Sequence, residues 1–256
     1  MTDGGEFAGV RAVVTGGASG IGAATATLLH RRGAQVCSLD LRPADTPEGC
    51  RGLRCDVADE DEVVAAVGEA AASMAGIDVV VNNAGVGAAG TIEDSDDGVF
   101  RRLHEVNVLG VVRVSRAALP HLRRSEHAAI VNTCSVAARV GLPQRAAYSA
   151  SKGAVLALTL AMAADHLADG VRVSCVAPGT ADTPWVQRLL DQADDPQAAR
   201  AALQARQPTG ALVGADEVAQ AICALASPLA RSSTGTVVTV DGGLTNLRLA
   251  AASNPS

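Results

Sequence analysis

Seven short runs rich in Val, Ile, Thr and Cys recur along this chain, at 10–15, 35–39, 52–55, 77–82, 129–134, 171–177 and 236–240, with alanine-rich stretches between them. Neighbouring parallel strands need a long crossover, usually a helix, so the alternation predicts a parallel sheet wound with helices. The runs are apolar on both faces, as strands covered on two sides are. Helices are expected at roughly 20–32, 60–74, 96–122, 146–168, 184–206 and 215–226. Asp59 and Glu62 have the spacing of a capping box, and Thr183-Pro184 that of an N-cap followed by an N1 proline. With 256 residues, 48% of them hydrophobic, the chain suits one large α/β domain over 1–256.

Charge and composition remove several functions. The net charge is -6, and the arginine pairs at 31–32, 101–102 and 123–124 form no basic stripe. One Trp, one Tyr and two Phe are too few for a base-stacking platform, so nucleic acid is not an expected partner. Met1 to Ala8 is polar and acidic, without the charged-then-apolar order of a secretory signal. Ala154 to Ala164, apolar apart from Thr159, is too short to span a bilayer and reads as a buried helix. A cytoplasmic location without membrane attachment is expected. The six Cys contain no CxxC pair and the five His no HExxH grouping, so reduced core thiols and no metal site are expected.

The only tyrosine and the only lysine stand four residues apart, as Tyr148 and Lys152. One helical turn puts both on the same face, where an ammonium beside a phenol favours the ionised phenol. Such a phenol is a usable general acid and base. The other twenty basic residues are Arg, so this one position uses a compact ammonium where a planar fork is the rule.

Directly after the first apolar run comes Thr15-Gly16-Gly17-Ala18-Ser19-Gly20-Ile21-Gly22, opening a helix. Glycines let the backbone approach a pyrophosphate, and a helix N-terminus offers free N–H groups and a positive dipole end. Asp40 closes the second run eighteen residues after Gly22, where a carboxylate accepts from the adenosine ribose hydroxyls and repels a 2'-phosphate. Neither Ala18 nor Ser19 is basic, and NAD is the expected cofactor, with Arg42 the one residue against it. The sheet is accordingly expected to be a doubly wound, Rossmann-type sheet.

Over residues 8 to 244 the chain resembles the short-chain dehydrogenase/reductase family. Thr15-Gly16-x-x-x-Gly20-Ile21-Gly22, Asp56, Asn82-Asn83-Ala84-Gly85, Asn107, Ser135, Tyr148-x-x-x-Lys152 and Pro178-Gly179-x-x-x-Thr183 stand in that family's order. The resemblance implies that Asp56 and Val57 contact adenine, that Asn83, Ala84 and Gly85 line the ribose side, that Thr183 and the backbone from Thr180 to Asp182, Ala181 included, hold the carboxamide, and that Pro178 and Gly179 also bind the cofactor. It implies a catalytic set of Asn107, Ser135, Tyr148 and Lys152. In it Tyr148 takes the hydroxyl proton, Ser135 bonds the developing carbonyl oxygen, Lys152 binds the nicotinamide ribose, and Asn107 anchors a water that relays the proton. It also implies a homotetramer paired through the helices at 96–122 and 146–168.

The segment Arg206-Gln207-x-Thr209-Gly210 with Pro178-Gly179-Thr180-x-Asp182-Thr183-Pro184 resembles the branch acting on hydroxy acids and sugar acids. Arg145, three residues before Tyr148, and Arg206 suit a carboxylate, and Trp185 suits a pocket wall, a sugar platform or a packing anchor. The polar stretch 184–210 reads as a mobile substrate lid or an ordinary surface helix pair. An oxidoreductase for a small polar, anionic hydroxy compound is expected. A pocket lined by Trp185, Gln144 and Ser135 without arginine would instead suit a neutral sugar or polyol. A catalytically silent NAD-binding redox sensor is the alternative of a different class.

Overall fold

The computed structural model describes residues 5–191 and 193–248. Each predicted apolar run forms a strand: β1 (Arg11–Thr15), β2 (Gln35–Asp40), β3 (Arg51–Arg54), β4 (Val79–Asn82), β5 (Ala129–Thr133), β6 (Arg172–Pro178) and β9 (Val237–Val240). They make one seven-stranded sheet in the order β3-β2-β1-β4-β5-β6-β9, and every pairing is parallel. The order reverses between β1 and β4, and in open α/β sheets ligands bind outside the carboxyl ends of the strands at such a reversal.

The alternation of side chains along each strand divides the core in two. Ala12, Val14, Val79 and Val131 face α1 (Gly20–Arg31) and α8 (Ala215–Ala226), which bring Leu29 and Ile222 to that side. Val13, Val80 and Ile130 face α2 (Glu60–Met74), α4 (Gly110–Leu122) and α5 (Ala146–Asp165). Both faces are dry, as the unbroken apolar runs require.

Four expectations need correction. The helix read over 96–122 is α3 (Asp97–His104), a π-helical turn (Glu105–Leu109) and α4. Apolar periodicity does not register one extra residue in a turn. The helix read over 184–206 is two, α6 (Pro184–Asp191) and α7 (Pro196–Ala205), because Asp195 caps the second through Ala198 N–H (2.9 Å) and Pro196 cannot continue the first. The box at Asp59 is half formed: Asp59 accepts from Glu62 N–H (3.0 Å), but the Glu62 carboxylate accepts from Asp56 N–H (2.9 Å), not from its own N-cap. Lastly, α5 ends at Asp165 rather than 168, yet its 20 residues exceed the short apolar stretch and are by length and composition enough to cross a bilayer. Its apolar length lies against β6 and the π-turn, with Met162 and Val155 buried.

Past β6 the chain leaves the sheet. Two residues of β7 (Ala181–Asp182) pair with two of β8 (Val213–Gly214), so both feet of the segment carrying α6 and α7 are pinned together. Gln207, buried to 2%, reinforces this pinning, its amide donating to the carbonyls of Thr180 (3.3 Å) and Ala211 (2.6 Å).

Candidate active site

A cleft of about 750 Å³ opens at the carboxyl edge of the sheet over the β1/β4 reversal. Its floor at one end is the glycine turn. Gly16 and Gly20 have φ of 64° and 53°, the left-handed region that glycine tolerates. Gly22 is needed for packing instead, since a Cβ there would collide with the carbonyl of Gly16. Ser19 is the N-cap of α1 but makes no side-chain cap, and no acidic residue lies in the first turn. The first N–H groups of α1 are therefore left for an anion.

Asp40 lies beside this turn, its carboxylate accepting from Ala18 N–H (3.1 Å) and Arg42 N–H (3.0 Å). Arg42 itself reaches outward to Asp45 (3.3 Å). Asp56 and Val57 line the same end, and Asp56 accepts from Ala58 N–H (2.9 Å). Arg113 ties this wall together by donating to the Val57 carbonyl (3.4 Å) and to the Glu105 carboxylate (2.8 Å). Thr15 and Gly22 stand apart from the other expected cofactor residues, for neither lines the cleft. The Thr15 hydroxyl accepts from Asn83 N–H and Ala84 N–H, both at 3.0 Å, and so holds the loop after β4 in place. Asn83 returns the support, its amide donating to the carbonyls of Thr15 (3.1 Å) and Gly16 (3.3 Å).

In the middle of the cleft α5 presents Tyr148 and Lys152. Lys152 is 5% exposed, its Nζ lies 5.9 Å from the centre of the Tyr148 ring, and it donates to the Thr133 carbonyl (2.8 Å). An ammonium has three donors, so two are left to face the cleft. Gly85 lies opposite, where a Cβ would sit 3.1 Å from Asn107 Oδ1 and 3.6 Å from Lys152 Nζ. Ser135, at the end of β5, lines the cleft beside Tyr148. The Cys134 thiol, next to it, donates to the Lys152 carbonyl (3.2 Å) and joins that strand end to α5.

Asn107 needs a buried partner and has three. Its Oδ1 accepts from Val86 N–H (2.8 Å), and its amide donates to the Val86 carbonyl (2.9 Å) and to Ser151 Oγ (3.0 Å). Ser151 in turn donates to the Tyr148 carbonyl (2.8 Å). The sequence reading overlooked Ser151, although its place three residues after Tyr148 put it on the catalytic side of the helix. The π-turn brings Asn107 to this junction, in keeping with the habit of such turns of marking functional sites.

The far end of the cleft carries arginines. Arg145, Arg188 and Arg206 all line it, and among the described residues none pairs with a carboxylate. Arg145 is held at the start of α5 by a bridge to Gly90 and by Gln144, whose φ of 54° is a strained value for a residue with a side chain. Burial, and after it the charge of Arg206, push the Arg145 guanidinium below its usual pKa. Trp185 closes the wall, lying so close over Gly87 that any side chain there would strike the indole. Gln144 does not line the cleft.

These features fit a nicotinamide dinucleotide: open N–H groups at α1, a carboxylate at Asp40 beside the glycine turn, and a glycine-lined path past Gly85 to Lys152. Known proteins agree. Residues 16–245 match the protein family described as "Enoyl-(Acyl carrier protein) reductase". The chain is 43% identical to cis-4-hydroxycyclohexanecarboxylate dehydrogenase of Sinomonas cyclohexanicum, over 93% of this chain and 98% of that one. It is 40% identical to L-fucose dehydrogenase of Oryctolagus cuniculus, over 95% and 87% of the two. The structure of the ligand-free aldohexose dehydrogenase of Thermoplasma acidophilum superposes with a TM-score of 0.91 at 32% identity, over 98% and 99% of the two chains.

Proposed function

We propose, from the premise that this chain belongs to the short-chain dehydrogenase/reductase family and acts on CH–OH groups, that it interconverts a secondary hydroxyl and a ketone, with NAD, on a small hydroxy acid or sugar acid. The observation that carries the substrate reading is the arginine end of the cleft. Arg145 and Arg206 both line that end with no carboxylate partner among the described residues, and a guanidinium fork matches a carboxylate. Of the residues that would favour a neutral sugar, Trp185 and Ser135 line the cleft and Gln144 does not, and the arginines beside them support the anionic reading.

The bound dinucleotide supplies the hydride acceptor. Tyr148 takes the hydroxyl proton of the substrate as the carbon gives up its hydride, so the alcohol leaves as a ketone. Ser135 donates to the oxygen whose charge is changing. Lys152 lies beside the Tyr148 ring and offers its two remaining donors to a ribose. Asn107 fixes the loop at Val86 and, through Ser151, the first turn of α5. Glycines at 16 and 20, with Ser19 and Ile21, cradle the pyrophosphate. Asp40 repels a 2'-phosphate, and this is the basis for NAD over NADP.

A panel of hydroxy acids, aldoses and polyols, followed by NADH absorbance, tests the reading. Hydroxy acids should give the highest kcat/KM, and neutral aldoses in first place would reject it. NAD should exceed NADP by orders of magnitude, with Asp40→Ala narrowing the gap. The outward faces of α4 and α5, where Leu160 is exposed, suit pairing across a two-fold axis into a homotetramer, and sedimentation at micromolar concentration should show one.

A further inference from the structure

Each segment that walls the substrate end of the cleft pairs hydrocarbon with an arginine. The stretch before α5 brings Val136, Leu142 and Arg145; α6 brings Trp185, Leu189 and Arg188; α7 and the residue that ends it bring Leu203 and Arg206. Among the described residues, every side chain that 136–145 and 184–206 contribute to the cleft is apolar or an arginine. The neutral polar groups lie elsewhere, in the glycine turn, the loop after β4, the end of β5, the carboxamide segment and the catalytic pair Ser135 and Tyr148.

Helices α6 and α7 show that this hydrocarbon is a wall and not leftover core. In α6, Val186 and Leu190 are buried and anchor the helix, whereas Trp185 and Leu189, one turn apart, remain 39% and 38% exposed toward the cleft. No described residue of α7 is buried, yet Leu203 lines the cleft three residues before Arg206. Apolar side chains of this size, held open to the cleft on two helices, are surfaces for an apolar ligand.

We infer that the substrate carries its hydroxyl and its carboxylate on a hydrocarbon body, as an alicyclic or branched aliphatic hydroxy acid does, and is not a polyhydroxylated sugar acid. The inference rests on the anionic reading above. A sugar acid can lay one face on the Trp185 indole, but its ring hydroxyls then meet Leu142, Leu189 and Leu203 with no partner, and a hydroxyl desolvated without a hydrogen bond is costly. A cyclohexane or branched chain fills the same space at no such cost and delivers its carboxylate to Arg145 and Arg206.

The test compares four probes on the full chain with NAD: 4-hydroxycyclohexanecarboxylate, its neutral carboxamide, an aldonate of similar size, and L-fucose. The hydrocarbon acid should exceed the aldonate by about a hundredfold in kcat/KM, the scale on which apolar pockets reject added hydroxyls. Leu203→Asn and Leu189→Asn, at partly exposed positions, should fold normally and narrow that ratio about tenfold by lowering turnover of the hydrocarbon acid. An aldonate turned over as well as the hydrocarbon acid, with both far above the carboxamide, overturns this inference and leaves the anionic reading standing. A carboxamide equal to its acid, with both far above the aldonate and L-fucose, upholds the hydrocarbon body and rejects the anion. L-fucose in first place, or no turnover of either acid, overturns both.

Discussion

The amino edge of this sheet and the far end of the cleft at its carboxyl edge use arginine in opposite ways. At the amino edge, Arg11 starts β1 and grips Asp78 through its Nε (2.7 Å), its Nη2 (2.6 Å) and its own backbone N–H (2.8 Å), and Ser125 adds a further bond to the same carboxylate (2.6 Å). Arg172, also at that edge, turns its guanidinium onto the carbonyls of Leu225 (2.7 Å) and Ser227 (3.0 Å), closing the end of α8. All of these bonds go to the fold itself. At the carboxyl edge, Arg145 gives one bond to a neighbouring carbonyl, and Arg188 and Arg206 give none among the described residues. The same side chain is a clamp where its partner is built in and, under the proposed function, a receptor where its partner arrives from solution.

Five substitutions, and one rescue variant, sharpen the contrast. The largest effect belongs to Tyr148→Phe, which should retain fold and NADH binding while losing turnover by several orders of magnitude; substantial residual activity would mean that another group carries the proton. Next is Asp78→Asn at the opposite edge, which leaves Arg11 without its counter-charge. Chemical denaturation should show a loss of about 3 kcal/mol, with kcat/KM unchanged per folded molecule. Burial opposes ionisation of Asp78, but its bonds from Arg11 and Ser125 outweigh burial and hold the carboxyl below its usual pKa. A carboxylate depressed in the folded state stabilises above its unfolded value, near 4, and loses that contribution as pH falls through the folded one. The stability gap between wild type and variant should therefore be full at neutral pH and close under more acidic conditions.

Arg145→Met and Arg206→Met should do the reverse, lowering kcat/KM for an acid by roughly ten- to hundred-fold, sparing a neutral analogue and leaving Tm unchanged or higher. Equal losses for acid and neutral substrates would assign these side chains to packing. The smallest effect is expected of Ser151→Ala, which frees the Asn107 amide from α5. A drop in kcat of about five-fold with little change in KM for NAD, and rescue by Ser151→Thr, would mark Ser151 as a positioning residue; a matching loss of Tm with no kinetic change would make it structural.

The sheet was legible because its strands are dry on both faces and punctuated by turns, and the glycine turn because its backbone needs are local. The Tyr148-Lys152 pair was legible because helical spacing alone sets it. The π-turn was not, since its extra residue is held by tertiary bonds from Asn107 to Val86 and Ser151 that no run of hydrophobicity encodes. The break between α6 and α7 was written in Asp195-Pro196 and overlooked under the polarity of the stretch. Thr15 was assigned to the cofactor by its place in a motif, whereas its hydroxyl faces inward, to a loop 68 residues away in sequence. The hydrocarbon of the substrate end stayed hidden because Leu142, Leu189 and Leu203 resemble core residues until the fold shows that they face a cleft.

The indole resting on Gly87 has a practical consequence. Trp185 is the sole tryptophan and Tyr148 the sole tyrosine, so all indole and phenol light absorption in this protein originates in its cleft. Emission from the chain is thus a single-site optical signal, sensitive to what lies between α6 and the loop after β4. Reduced dinucleotide absorbs where indole emits, so its arrival should quench that signal by energy transfer, while a substrate sliding under the indole should shift its colour. Occupancy of the two halves of the cleft can be watched separately, without a label.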